Sequence, residues 1–178
     1  MTGLAVRNEV ATDALGWSGV LVPRMKVFGV PADVVVRVDH AAHAVRRASG
    51  RGPELDRDVL ATWEWPESAL VRAPEVVRLV GALGVGSTWR RALAAVARLD
   101  GFCATAIAVD HADEECRVEC GYLGVGLVMD GRLVDSGRAG RSPKARRRTL
   151  DRWVEELLYE RLLTDGALDW AATPSATR

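Results

Sequence analysis

The sequence predicts an α+β fold in which a C-terminal α-β-β-β-α unit follows a mixed N-terminal portion. Three observations carry that expectation. Two apolar runs, Asp33-Val-Val-Val-Arg-Val38 and Phe102 to Val109, have the length and β-branched composition of buried strands. Asp130-Gly131 separates the apolar stretch ending at Met129 from the one beginning at Arg132. That dipeptide marks a type I′ hairpin, because both central residues of the turn need positive φ. Leu150, Trp153, Val154, Leu157, Leu158 and Leu162 recur at i, i+3, i+4, i+7 and i+8 spacing and so line one face of a helix.

Each element follows from its local signals. Up to Pro31, short apolar pieces broken by Gly16, Gly19, Pro23 and Gly29 predict brief strands and turns and not a helix. The Asp33–Val38 strand leads to an alanine-rich helix, His40 to Ala48, closed by Ser49-Gly50. After the loop Gly50-Arg-Gly-Pro53, Glu54 to Thr62 reads as helical and Trp63-Glu-Trp-Pro66 ends it. The apolar segment from Pro74 to Leu83 is expected to be helical, with Gly84 and Gly86 as breakers, and Ser87 to cap a helix running through Leu99. Strands are then expected at Phe102 to Val109, Arg117 to Met129 and Arg132 to Ser136. Ser142 is a suitable N-cap for the last helix, and Pro143 fits its first turn, where no N–H partner is missed. A boundary near residues 66 to 74 divides an N-terminal portion, 1–73, from a C-terminal portion, 74–178; the alternative is one continuous domain.

Composition narrows the function classes. With 178 residues, 48% of them hydrophobic, the chain can bury one ordinary core or two small lobes, which excludes a disordered protein. Lys plus Arg equal Asp plus Glu at 24 each, so contact with an anionic partner must come from a local patch and not from a global field. Cys103, Cys116 and Cys120 are odd in number and too few for a disulfide scaffold, and no cationic segment followed by an apolar one opens the chain. Those features point to a reducing, cytoplasmic setting. No apolar run approaches the roughly 20 residues that a membrane-spanning helix needs.

The densest chemistry lies in Arg138, Arg141, Lys144, Arg146, Arg147 and Arg148, which crowd the start of the last helix. The helix macrodipole is already positive there and disfavours cations, so the placement invites an anion. A phosphate would meet free N–H groups, the dipole and the side-chain charges together. The order of elements from Ser87 to Leu163, with Gly126-Leu-Val-Met-Asp-Gly-Arg-Leu-Val-Asp135 running into Gly140-Arg-Ser-Pro-Lys-Ala-Arg-Arg147, resembles a double-stranded RNA-binding domain. That resemblance implies a binder of RNA or DNA backbone, not an enzyme, with no cofactor. By that resemblance Lys144, Arg147 and Arg141 would grip phosphates and read no base edges, and the basic run adds Arg138 and Arg148 to the same grip. The plainer alternative is a solvated basic face paired with Asp135, Asp151 or Glu155.

A rival reading comes from two apolar strands that end in acid, Val34-Val-Val-Arg-Val-Asp39 and Thr105-Ala-Ile-Ala-Val-Asp110. Carboxylates at adjacent strand ends can hold Mg²⁺ for phosphoryl transfer, so Asp39 and Asp110 are the catalytic residues of this alternative. Gly81-Ala-Leu-Gly-Val-Gly86-Ser87-Thr88 has the spacing of a phosphate-binding loop, but Ser87 stands where the lysine belongs, and the glycines read as a helix-helix turn. His40 and His43, three apart on a helix, lack a further ligand set and read as surface or cap residues. Cys116 and Cys120 read as small apolar residues on one face of a strand. Trp63, Trp65, Trp89 and Trp153 read as core residues, and of them Trp63 and Trp65 are the candidates for an exposed stacking or protein-partner site.

Overall fold

The computed structural model describes residues 2–84, 86–138 and 149–169, with backbone alone for residues 2–7. In chain order the elements are α1 (Thr2–Ala14), β1 (Val20–Val27), β2 (Val30–Val38), α2 (His40–Ala48), α3 (Arg57–Thr62) and a 3-10 turn at Pro66–Leu70. They continue with β3 (Val77–Gly84), α4 (Trp89–Ala97), β4 (Ala104–Val109), α5 (Glu114–Leu123), β5 (Gly126–Met129), β6 (Arg132–Asp135) and α6 (Thr149–Thr164). The fold is α+β, with the last helix following the strands. Two compact units result, each drawing on both sides of residues 66 to 74: a sheet unit of Met1–Arg37 and Leu79–Ala145, and a helical unit of Val38–Arg78 and Arg146–Arg178.

The sheet has six strands in the order β1-β2-β3-β4-β5-β6. Antiparallel hairpins, β1 with β2 and β5 with β6, flank a parallel centre in which β3 pairs with β4 and β4 with β5. Both hairpin turns place two consecutive residues at positive φ, Phe28-Gly29 and Asp130-Gly131, so the second matches the type I′ turn that its sequence predicts. The parallel strands need crossovers, and α4 and α5 provide them.

Alternation along β4 explains how the sheet is covered. Ile107 packs with Leu93 and Val96 of α4, Cys116 and Cys120 of α5, and Leu127. Ala106 faces the opposite side, where Ala11 of α1, Leu83 and Val128 close the core together with Leu15 and Trp17. A strand buried on both faces reads as an unbroken apolar run, which is why Ala104–Val109 was visible in the sequence.

Four segments differ from the sequence expectations. Thr2–Ala14 is a helix where strands and turns were expected; it stops at Gly16, whose φ of 67° lies in the left-handed region. Residues 77–84 form a strand and not a helix, so Gly81 and Gly84 belong to the sheet and not to a helix-helix turn. Arg117 to Leu123 is helical and not part of a strand, so the C-terminal run is α4-β4-α5-β5-β6-α6. Its signals are local: Asp113 caps Cys116 N–H at 2.8 Å, two glutamates occupy the first turn, and Gly124 at φ 68° ends the helix. Thr88, and not Ser87, caps α4 by accepting from Arg91 N–H.

The β3 glycines are required by packing. A Cβ on Gly84 would stand 2.4 Å from the Ala92 carbonyl oxygen of α4, and one on Gly81 would stand 2.7 Å from the Trp17 ring on the other face. Asp33, buried in β2, accepts from Arg24 N–H at 2.7 Å and from the Asn8 side-chain amide. Arg24 sits at the β1 bulge with φ 54°, so the carboxylate satisfies a donor that the irregular strand leaves without a ladder partner.

Two outcomes follow for the sheet unit. Gly84→Ala forces backbone against backbone, and overpacking of this kind costs about 1–3 kcal/mol in denaturant unfolding; the control Gly52→Ala, in the helical unit and with nothing within 4 Å of the added Cβ, leaves the unfolding free energy within about 0.5 kcal/mol. Burial pushes the Cys120 thiol from 9.0 up to about 12, and burial likewise raises Cys116. The folded chain therefore holds these protons longer than the unfolded chain. Their stabilisation is complete below the ordinary thiol value of 9.0 and is lost as pH rises toward about 12. Unfolding free energies measured across that alkaline window should decline, and Cys120→Ala should flatten the decline.

Candidate functional site

The helical unit is built around charge. Arg46, on α2, is fully buried, and on α6 Arg152, Glu155 and Glu156 are buried, with Asp151 at the edge of burial. Sequence periodicity gave α6 an apolar face through Leu150, Trp153 and Leu157, but Leu150 is exposed and the other two are half-buried. Val154, Leu158 and Leu162 do face the core, joined by the charged residues and Tyr159. The buried face is therefore rotated toward positions that a polarity pattern marks as solvated.

Partners explain the rotation. Glu156 Oε1 accepts from Arg46 Nη1 and Arg152 Nη2, each at 2.8 Å, while Oε2 accepts from Glu54 N–H at 2.9 Å. Arg46 also donates from Nε to the Arg51 carbonyl at 3.2 Å and from Nη2 to the Gly52 carbonyl. Arg152 donates to the carbonyls of Ala73 and Pro74 at 3.1 Å and lies 3.4 Å from Glu75. Such density of acceptors is what allows two guanidiniums to leave water. Burial lowers the Arg152 pKa from its ordinary value, opposed by Glu156 and Glu75.

Tyr159 lies beside this network, its ring 4.9 Å from the Arg46 guanidinium, and burial raises its phenol pKa. The hydroxyl stands 2.9 Å from His43 Nδ1, and His43 Nε2 stands 3.0 Å from the Asp169 carbonyl. A carbonyl only accepts, so Nε2 carries the proton; in the neutral ring Nδ1 then accepts from the phenol. The expected surface pair of histidines is thus split: His40 is exposed, whereas His43 is buried and ties α2 to α6 and the chain after it.

The network positions backbone. Every carbonyl that Arg46 and Arg152 engage belongs to 51–52 or 73–74, the stretches that bracket α3 and the 3-10 turn. Between them the chain presents Trp63 and Trp65. The Arg152 guanidinium covers Trp63 at 5.2 Å and Arg57 covers Trp153 at 3.7 Å, while Trp65 is 62% exposed. Glu64, between the two tryptophans, accepts from Thr149 N–H at 2.7 Å and from the Thr149 hydroxyl. The first described turn of α6 is thereby anchored by a carboxylate at the positive end of its dipole.

The residues singled out in the sequence fall into three groups. Arg138 is described: its N–H donates to the Gly124 carbonyl at 2.8 Å, and its guanidinium is exposed, 3.9 Å from Asp100. Arg141, Lys144, Arg146, Arg147 and Arg148, with Ser142 and Pro143, lie outside the described residues. Asp39 caps α2 by accepting from Ala42 N–H at 2.9 Å and belongs to the helical unit, whereas Asp110 is exposed after β4 in the sheet unit. Among the described residues, no three His, Cys, Asp or Glu side chains are grouped so as to hold a metal ion, and no helix is long and apolar enough to cross a membrane. Cys116 and Cys120 are buried as expected of small apolar residues, on a helix and not on a strand.

Glu156→Ala should cost about 3–5 kcal/mol in urea unfolding, because it leaves two guanidiniums buried without their carboxylate. Asp165→Ala, which removes the exposed pair between Arg161 and Asp165, should cost about 0–1 kcal/mol. No family model, curated protein or solved structure matches this chain.

Proposed function

We propose that this protein binds the phosphate backbone of RNA or DNA through Arg138, Arg141, Lys144, Arg147 and Arg148, as a binder and without catalysing a reaction. The observation that carries this reading is the density of cations in the sequence: Arg138, Arg141, Lys144, Arg146, Arg147 and Arg148 fall within eleven residues, and Arg138, the one of them that is described, has an exposed side chain. With 24 cations and 24 anions in the chain, the run is a local excess and not part of a general one.

Backbone contacts of this kind have a thermodynamic signature. Affinity for duplex DNA should fall by about 0.9 log units per log unit of salt for each phosphate neutralised. The double variant Arg147→Glu, Arg148→Glu should lose at least tenfold in affinity and show a shallower salt slope, with its circular dichroism unchanged. Fluorescence anisotropy with labelled duplex RNA, duplex DNA and single strands at two salt concentrations measures both quantities. Unaltered binding by that variant removes the basic run from the function.

A further inference from the structure

We propose that the outer edge of β6 pairs with the same edge of a second copy of this chain, joining two sheets about a two-fold axis. β6 ends the sheet, and all four of its residues, Arg132-Leu-Val-Asp135, are exposed. Their order says what fits them. Laid antiparallel against itself about the midpoint of Leu133 and Val134, the strand sets Arg132 opposite Asp135 of the second copy, and Leu133 opposite Val134 of the second copy. Each contact then occurs twice, once on either side of the axis, as an isologous interface requires. Opposite charges and apolar pairs facing one another are the pairings that stabilise adjacent strands.

The groups for that contact are in place. Among the described residues Arg132 makes no ion pair, and Asp135 uses Oδ1 for the Gly137 N–H at 2.8 Å, which leaves Oδ2 for a cation. Leu133 and Val134 are 45% and 41% exposed. Leu133 pairs with Val128 and Asp135 with Leu127, so Val134 is the extra residue of a bulge and has no cross-strand neighbour on β5. The helices on either face of the sheet extend the apolar surface. A Cβ on Gly131, in the turn before β6, would stand 2.8 Å from Val10 of α1, and Val10 is 44% exposed. One on Gly121 of α5 would stand 4.0 Å from Asp135 Oδ2, and the next residue, Tyr122, is 83% exposed. A strand of four residues is too short to hold a dimer alone, so these flanking side chains supply part of the burial. The opposite edge of the sheet is built differently. β1 carries Pro23 and Lys26, which guard an edge, whereas β6 has neither proline nor lysine and matches its one cation with one anion.

The test is sedimentation equilibrium of the full chain over a concentration series, with folding of each variant checked by circular dichroism. It compares wild type, Arg132→Asp, Asp135→Arg, the double exchange of both, and an equimolar mixture of the two single variants. Wild type should show a reversible monomer–dimer equilibrium. Each single variant sets like charges opposite one another at both ends of the paired strands, so its dimer dissociation constant should rise roughly tenfold or more. Mixing the two single variants should restore the dimer, because each chain then meets its opposite. The double exchange should restore it as well, since its charges are again self-complementary. Structural damage in one chain would not be repaired by adding another. Arg132→Asp alone decides the matter if Asp135→Arg, which gives up the bond to Gly137, fails to fold. A wild type that stays monomeric up to roughly 1 mM overturns the proposal and leaves the edge to another occupant. A dimer indifferent to Arg132→Asp overturns it too, by placing the contact elsewhere on the chain, as does a loss that mixing the folded single variants does not repair.

Discussion

A carboxylate buried between two guanidiniums is tolerable only when every charge in the cluster finds a partner, and Glu156 meets that condition by accepting from Arg46, Arg152 and the Glu54 N–H together. The helical unit depends on it. Arg46 and Arg152 extend from the carboxylate to the carbonyls of residues 51–52 and 73–74, so one ion cluster fixes both ends of the segment that carries α3 and the tryptophans. An apolar replacement of similar volume would pack, but it would offer the loops nothing to bond. The cluster therefore gives orientation as much as stability, and Trp65 reaches solvent on a backbone that it holds in place.

The sheet unit is organised by a different constraint, close approach. Gly84 lets α4 lie against β3 with no side chain between them, and Gly81 receives the Trp17 ring on the opposite face. Small residues at the centre of β4, Thr105-Ala-Ile-Ala108, continue the same pattern, with Ile107 as the one large side chain toward α4 and α5. Both edge hairpins are irregular. β1 carries Pro23, a bulge and Lys26, and β6 is only four residues long, also with a register shift. Proline and lysine blunt the β1 edge against pairing with another chain.

The basic run is bounded in the chain by two described residues whose backbone is fixed: Arg138 N–H donates to the Gly124 carbonyl, and Thr149 N–H donates to Glu64. The rotation of α6 that buries Asp151, Glu155 and Glu156 goes with the ion pairs that Glu156 makes to Arg46 and Arg152.

The sequence by itself determined the elements whose signals are local. Asp130-Gly131 specified its turn, Asp39 and the alanine-rich stretch after it specified α2, the two-sided apolar run specified β4, and the heptad-like leucines specified that the last helix exists. Trp65, which by composition reads first as a core residue, is instead 62% exposed. Signals for α5 were present in Asp113, Glu114, Glu115 and Gly124, but they were outweighed by the apolar residues between them. Tertiary structure decided what local patterns cannot weigh. Which face of α6 is buried depends on Arg46, 110 residues away in the chain, because a charged side chain enters a core only when its partner is already there. Whether Pro74 to Gly84 is helix or strand likewise depends on β4, since the glycines that discourage either element alone become the contact that lets α4 and the sheet meet.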